Sequence, residues 1–365
     1  MPDAALLDRQ IPAATADYKV DVRVHNHFDC VAAARWNSFL KGRSDARTTH
    51  RAEFAAILRD GLGHQPFFLE AERAGEIVGV LPLALVESFL FGRFLVSLPY
   101  VNVGGPVAVD EETALALVDK AVALSDELDV AHLQLRNTRE LLHPRLTETR
   151  ADKKIMIRPL PASADELLLS YKSEFRSKVL RGERNGVAYQ FGGAELLSEF
   201  YDVFAVNMRD LGTPVFSKRL FRAILEQLDG DAELCVGRLN GKPISAALIW
   251  HGPSGTEAPS SSTLRAHNQT GANMSLFGKL LQRAIERGSK SFDFGRSSET
   301  SGTYTFKKNW GAQPTPSIWQ YYVRKGSVSD ARPENPKYQR KIELWKRLPV
   351  WLTRLVGPAV VRGIP

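Results

Sequence analysis

The sequence predicts an α/β (α+β) protein of two tandem domains, each a mixed, mostly antiparallel sheet flanked by helices. Three observations predict it. First, a helical segment is written twice. Residues 53–59 read EFAAILR and residues 220–226 read LFRAILE, so Phe54, Ile57 and Leu58 fall on Phe221, Ile224 and Leu225 at a constant offset of 167. Apolar positions in both keep helical spacing. Second, each copy is followed by two apolar runs around a two-residue turn. Ala74-Gly75 separates FFLEAER from EIVGVLPLALV, and Asn240-Gly241 separates ELCVGRL from KPISAALIW. Asn-Gly between apolar runs is a strong hairpin signal, because both turn residues need positive φ. Third, a helix at 111–128 leads to a strand at 130–135, and a helix at 274–287, ending at Gly288, leads to a strand at 291–295. Each half reads helix, hairpin, helix, strand. Matched order at matched offset points to duplication.

The expected domains are residues 20–157 and 158–325, followed by a basic aromatic tail at 326–365. The junction is placed near 151–162, because residues 158–162, RPLPA, break regular structure. Ser163 followed by Glu166 is a capping-box pattern that opens one basic helix over 163–185. Leu167, Tyr171, Phe175 and Val179 form its apolar stripe, and its other faces carry Lys172, Arg176, Lys178, Arg181 and Arg184 against Glu174 and Glu183. Asn185-Gly186 closes it. Such a face is either an anion clamp or simply solvated. Gly104-Gly105-Pro106 reads as a turn or as lining of the cleft between domains, residues 252–263, GPSGTEAPSSST, as a flexible loop without chemistry, and residues 325–336 as a second linker.

A chain of 365 residues comfortably forms two cores, and 44% apolar with 24% charged residues fits a globular protein. Cys30 and Cys235 lie far apart without a C-x-x-C partner, which argues against a disulfide framework and for a reducing compartment. Both are expected as buried thiols. No apolar run reaches the ~18 residues of a membrane span. Residues 1–20 lack the basic start and apolar core of a secretory signal, so a cytoplasmic location is expected. The net charge of +7 suggests anionic partners: phosphates, tRNA, nucleotide-sugars or an acidic lipid surface. His25 and His27 have ligand spacing but no third ligand in the sequence, so no metal is expected. Neither a G-x-S-x-G elbow nor a Walker loop occurs.

Residues 292–312, FDFGRSSETSGTYTFKKNWGA, carry the chemistry. Arg296, Lys307 and Lys308 gather with Ser297, other small hydroxyls and aromatics at one strand end. Fixed cations in a site from which aromatics exclude water can hold an anion or stabilise an oxyanion. Arg296 suits bidentate contact with a carboxylate or phosphate, or a structural salt bridge with Asp293. Tyr304 either hydrogen-bonds a substrate or packs, and Phe306 and Trp310 are expected in the core.

The block 292–312 resembles the C-terminal signature of the FemAB-like acyltransferases, in the subgroup associated with exopolysaccharide and exosortase (PEP-CTERM) systems. The likeness continues at Leu81-Pro82-Leu83, Phe91-Gly92-Arg93, Ser97-Leu98-Pro99, Arg209-Asp210-Leu211-Gly212-Thr213-Pro214 and Asn335-Pro336-Lys337-Tyr338, and spans roughly residues 20–360. It implies two GNAT-like domains with the catalytic one second. Lys307 is aligned with the lysine implicated at the reacting ester; Lys308 is the alternative, because neighbours on an extended segment point to opposite faces. By the same resemblance the basic helix, through Arg176 and Arg181, holds anionic parts of a substrate. Acyl-CoA-dependent GNAT enzymes carry a Q/R-x-x-G-x-G/A loop whose amides cradle a pyrophosphate. Here RAHNQTGAN at 265–273 keeps Gly271-Ala272 but lacks the first glycine, and Asn268 stands in the pattern.

These readings lead to an N-acyltransferase that moves an acyl or aminoacyl group to an amine of a saccharide precursor in exopolysaccharide or cell-envelope biosynthesis. Lys307 would be catalytic, and Arg296, Lys308, Tyr304, Arg176, Arg181 and Ser297 would bind substrate. No tightly bound cofactor is expected; the donor is acyl-CoA or aminoacyl-tRNA. The acceptor is a saccharide or a nucleotide- or lipid-linked sugar, with tRNA as a further partner. Residues 332–354 mix seven basic residues with Tyr338, Trp345 and Trp351 and suggest peripheral membrane contact, or docking back on the protein. The competing readings are an acyl-CoA-dependent enzyme for a small amine or protein, a non-catalytic polysaccharide-assembly protein, and an RNA-binding protein.

Overall fold

The computed structural model describes residues 19–88, 92–328 and 336–364. Residues 1–18, Phe91 and Asn335 of the quoted motifs, and 329–335 of the expected second linker lie outside these residues.

The first half begins with β1 (Asp21–His25), α1 (Cys30–Leu40) and α2 (Glu53–Ala56), which continues as a π-helical turn to Leu62. It goes on with β2 (Gln65–Arg73), β3 (Glu76–Ser88), β4 (Gly92–Val96), short β5 (Val107–Ala108), α3 (Glu111–Glu127), β6 (His132–Asn137) and β7 (Glu148–Pro159). The second half comprises α4 (Ala164–Leu169), α5 (Ser173–Arg184), β8 (Val187–Gly192), α6 (Leu197–Leu211), α7 (Lys218–Gln227), β9 (Ala232–Leu239), β10 (Lys242–Gly252) and β11 (Gly255–Thr263). It continues with α8 (Ala272–Glu286), β12 (Ser291–Ser298), α9 (Gly302–Asn309) and β13 (Gln313–Val323), and α10 (Pro336–Lys346) and α11 (Val350–Val361) follow.

The strands form one sheet in the order β1-β2-β3-β4-β6-β13-β7-β12-β11-β10-β9-β8, with β5 beside β3. Its pairings are antiparallel except for β4 with β6 and β11 with β12. The fold class is therefore the expected α/β (α+β), a large, mostly antiparallel sheet flanked by helices. The helix–hairpin–helix–strand order appears in both halves. Both hairpins turn through two residues of positive φ, Ala74 (54°) with Gly75 (84°) and Asn240 (50°) with Gly241 (74°), the geometry whose twist matches the flanking strands.

The halves exchange their last strands. β7 leaves the first half and pairs with β12 and β13, while β13 returns to pair with β6 and β7. Residues 151–157, placed within the junction ahead of the expected break at 158–162, are the middle of a strand, with Ile155 and Met156 fully buried. The break begins only at Pro159, and Lys153-Lys154 disguised the strand pattern before it.

Three further expectations change. The basic helix over 163–185 is two helices, interrupted at Ser170–Lys172, although Leu167, Tyr171 and Val179 still bury one stripe. Cys235 is buried but Cys30 is exposed at the start of α1. The segment 252–263 is strand β11 from Gly255 onward, not a loop. Its Pro259 lies where the β10 register shifts and beyond the last row paired with β12, so the missing N–H costs no ladder bond there.

The duplicated segments meet between the halves. α2 and its π turn pack on α7, and Phe54, Ile57 and Leu58 share one core with Phe221, Ile224 and Leu225. The approach is close: a Cβ on Gly61 would lie 3.1 Å from Leu220 Cα. Separate cores lie under α3 in the first half and under α5, α8 and α9 in the second. The tail helices dock on α6, where Arg209 donates to the Leu348 carbonyl and Arg354 to Asp202. No helix among the described residues is long and apolar enough to cross a membrane.

Candidate active site

β11 and β12 pair in parallel only at Thr256–Phe292 and Glu257–Asp293. Beyond that row they diverge, and a cleft of about 850 Å³ opens beside them. Its second-half wall includes residues 258–262 of β11, Phe294, Gly295 and Arg296 of β12, and Lys307 of α9; Leu58 and Asn102 come from the first half.

Gly295 makes the local turn. Its φ is +77°, and the register against β7 slips between Asp293 and Arg296. This is a bulge with glycine at the left-handed position. The Asp293 carboxylate accepts from the Gly295 N–H at 2.6 Å and pins it. The bulge directs two carbonyls at Lys307, whose Nζ donates to Gly295 O at 3.0 Å and Arg296 O at 3.2 Å. A Cβ on Gly295 would sit 3.3 Å from the Asn102 amide, so glycine also allows the first half to approach.

Lys307 is half-buried, and burial brings its pKa down to about 8, with Asp293 opposing. A lysine shifted in this way in a cleft is a candidate functional group. The Arg296 guanidinium lies 3.4 Å from the Trp319 ring centroid and Arg136 lies 4.3 Å from the same centroid. Burial, and then Arg296, lowers the Arg136 pKa to about 9. Arg136 donates to Val101 O at 2.6 Å.

An acidic pair sits beneath this end. Trp250, Glu257 and Asp293 are successive partners across β10, β11 and β12, so their side chains share a face. Burial raises both carboxyl pKa values, Glu257 to about 7 with Asp293 adding to it. Arg47, from the loop before the short Thr48–His50 turn of the first half, opposes both shifts. Asp293 in turn favours the charged form of Lys307.

The structure brings Lys307 and Arg296 together at the cleft and disperses the other candidates. The FKK segment is helical, not extended, so Lys308 turns away; it is exposed and lines a separate depression with Lys172 and Trp310. Tyr304 packs partly into the core below α9, with Lys308 5.9 Å from its ring centroid. Ser297 is buried and donates to Thr303 at 3.3 Å. Arg176 is half-buried on α5, outside the cleft. Arg181 lies against Gly271 at the start of α8, 3.0 Å from where a Cβ would stand. Phe306 lines the cleft, and Trp310 is fully buried. Asn102, Trp319, Arg136, Glu257 and Arg47 did not emerge from the sequence. Asn102, Arg136 and Arg47 come from the other half, and no local spacing announces them.

Residues 170–308 match the family described as an acetyltransferase (GNAT) domain. Solved structures share the architecture. A crystal structure of FemX aligns at TM-score 0.63 and 16% identity over 88% of this chain and 99% of its own. L-PGS from Bacillus licheniformis aligns at 0.55 and 15%, over 89% and 96%. A tandem GNAT protein from the clavulanic acid biosynthesis pathway aligns at 0.54 and 11%, over 85% and 100%. A search of curated proteins finds no match. The family match thus falls within the second half, and the chain as a whole shares its fold with FemX and a tandem GNAT protein.

Proposed function

We propose that this chain is an N-acyltransferase that moves an acyl or aminoacyl group onto an amine of a saccharide precursor for exopolysaccharide or the cell envelope. The observation that carries the reading is Lys307, a half-buried cation held by two bulge carbonyls at the polar end of a cleft. Attack of an amine on a carbonyl places negative charge on oxygen. A fixed donor aimed at that oxygen contributes about 10²–10³ in rate. Arg296 holds an anionic part of donor or acceptor, its plane set by Trp319. Asp293 keeps Lys307 charged without reaching the reacting atoms. The likeness to FemX and the GNAT domain match support the reaction class.

An acyl-CoA donor is favoured over aminoacyl-tRNA by one feature. The α8 N-terminus reaches the cleft through Asn273, with Arg181 beside Gly271, a place where amides and a cation can meet a pyrophosphate. Calorimetry with CoA, where Arg181→Ala weakens binding about tenfold, checks this; no binding to CoA would return the donor to tRNA. The tail is read as a peripheral contact at the cytoplasmic face of the membrane, because docked α10 and α11 still expose Leu344, Trp351 and Leu355. Loss of anionic-vesicle binding on truncation after residue 331 is the expected result, and unchanged binding removes the idea.

The reading is tested by mass spectrometry of surface polysaccharide from a strain lacking this chain, complemented with the wild type or with Lys307→Ala. A mass increment present with wild type and absent with the variant, at equal protein levels, is expected. Identical polysaccharide in all three strains overturns the acceptor.

A further inference from the structure

We propose that the cleft holds a long saturated acyl chain, so that the group transferred is fatty acyl rather than acetyl or aminoacyl. This rests on the acyltransferase reading and names its substrate. The cleft is charged on one side only. Asn102, Arg296 and Lys307 stand at the β12–α9 side. The opposite wall, from α2, α6, α7 and the segment before α7, is apolar, with Phe54, Leu58, Phe204, Met208, Phe216 and Phe221. The polar pair Asn207 and Ser262 satisfy each other at 3.1 Å. At about 850 Å³ the space is far larger than an acetyl group needs and lies in the ~300–1,000 Å³ range of small-molecule sites.

The charge of the lining decides against an aminoacyl group. No Asp or Glu is among the described residues that line the cleft. An aminoacyl ammonium would be placed against phenylalanines and methionine with no anion to pair, a costly burial. A hydrocarbon chain meets no such cost. Its carbonyl would lie at Lys307 and its tail would run along the wall that the two packed copies of the duplicated helix form with α6. The outer rim, at exposed Leu211 and half-buried Leu62, lies beside the tail helices: Gly212 approaches Ile342, and Gly63 approaches Arg362. A chain drawn from a membrane surface would enter there.

In the reaction, the acceptor nitrogen attacks the carbonyl carbon of a fatty acyl thioester or ester. The C–N bond forms, the C–S or C–O bond breaks, and the proton released by the amine ends on the departing thiolate or alkoxide.

The test uses the full chain and saturated fatty acids from six to fourteen carbons, which displace a fluorescent fatty acid. Each methylene buried is worth ~0.8 kcal/mol, about fourfold in Kd, so Kd is expected to fall about fourfold per carbon until the cleft is full. Leu58→Trp should weaken the fourteen-carbon acid at least tenfold and leave the six-carbon acid unchanged. Met208→Trp, on the facing wall, gives the same readout if the first variant melts early. Lys307→Ala should weaken all lengths by one factor and leave the slope. A Kd independent of chain length overturns the proposal. Acetyl or aminoacyl transfer without chain-length dependence also overturns it but leaves the enzyme a transferase. A steep slope with no amide formed from any amine supports the chain site and removes the transferase reading instead.

Discussion

The parallel strand of each half ends in the same way and is finished differently. In the first half, β6 reads Leu133-Gln134-Leu135-Arg136; in the second, β12 reads Phe292-Asp293-Phe294-Gly295-Arg296. Gly295 is the inserted residue, and it is the one that bulges. The preceding row pairs Val96 with Gln134 in the first half and Glu257 with Asp293 in the second. Arg136 is then sealed: it is 2% exposed, and its carbonyl accepts from the Gly104 and Gly105 N–H groups of the loop folded over the strand end. Arg296 instead borders the cleft, and α9 follows it with Lys307. One copy spends its strand end on packing. The other accepts a bulge, a buried and a half-buried acid and a half-buried lysine, each costly to stability, which makes it the candidate site.

The largest expected effect breaks the comparison at Lys307. Lys307→Ala should lower kcat by about 10²–10³ with the melting temperature nearly unchanged. Near-wild-type turnover would move the chemistry elsewhere. The pH dependence sharpens this. In the proposed reaction the ammonium is the active form, and its pKa is about 8, so the rate should fall as pH rises above 8. Lys307→Arg should retain activity above that pH, because guanidinium stays charged. Stability runs the other way: since the folded pKa is depressed, the cost of the buried charge is relieved as pH rises from 8 towards the unfolded value.

Next comes the arginine pair, which should separate stability from binding. Arg136→Ala empties a fully buried site and strands the Val101 carbonyl. A loss of about 2–4 kcal/mol in chemical denaturation is expected. Arg296→Ala should melt nearly as the wild type and raise KM about tenfold through the lost anion contact. Equal destabilisation by both variants would mean that the second strand end is packed as the first is, and the contrast would fail.

The repeat was legible because it is local. Phe54/Phe221 and the two positive-φ turns need only neighbours in sequence to declare themselves. The exchange of β7 and β13 was not legible, since the choice between two equivalent strand edges is made by long-range pairing. β11 was hidden by composition: Pro259 and the run Ser260–Ser262 suit a loop, yet a strand that leaves its parallel partner tolerates both. Lys307 and Arg296 could be found by motif. Lys308 faces the cleft only if the segment is extended, and Ser301, accepting from the Tyr304 N–H, is the cap that makes it a helix.

The smallest expected effect tests the acid row against its neutral counterpart. Glu257 carries an oxygen with no hydrogen-bond partner among the described residues, and its folded pKa is raised to about 7. A raised acid binds more protons in the folded state than in the unfolded state between the two pKa values, so stability is fullest below the unfolded value and is lost as pH climbs through 7. Glu257→Gln removes one acid from the row and leaves Asp293, opposite it on β12. At pH 8 it should therefore melt higher than the wild type, by a gain on the order of 1 kcal/mol or roughly 2 °C. At pH 4.5 the two proteins should melt together. The Lys307 rate profile should stay in place, because Asp293, the acid that opposes the lysine's shift, remains. If Glu257→Gln destabilises at every pH, the carboxylate is holding Arg47 in place, and the second half's acid row is scaffold for the junction between the halves instead of a bias on the lysine.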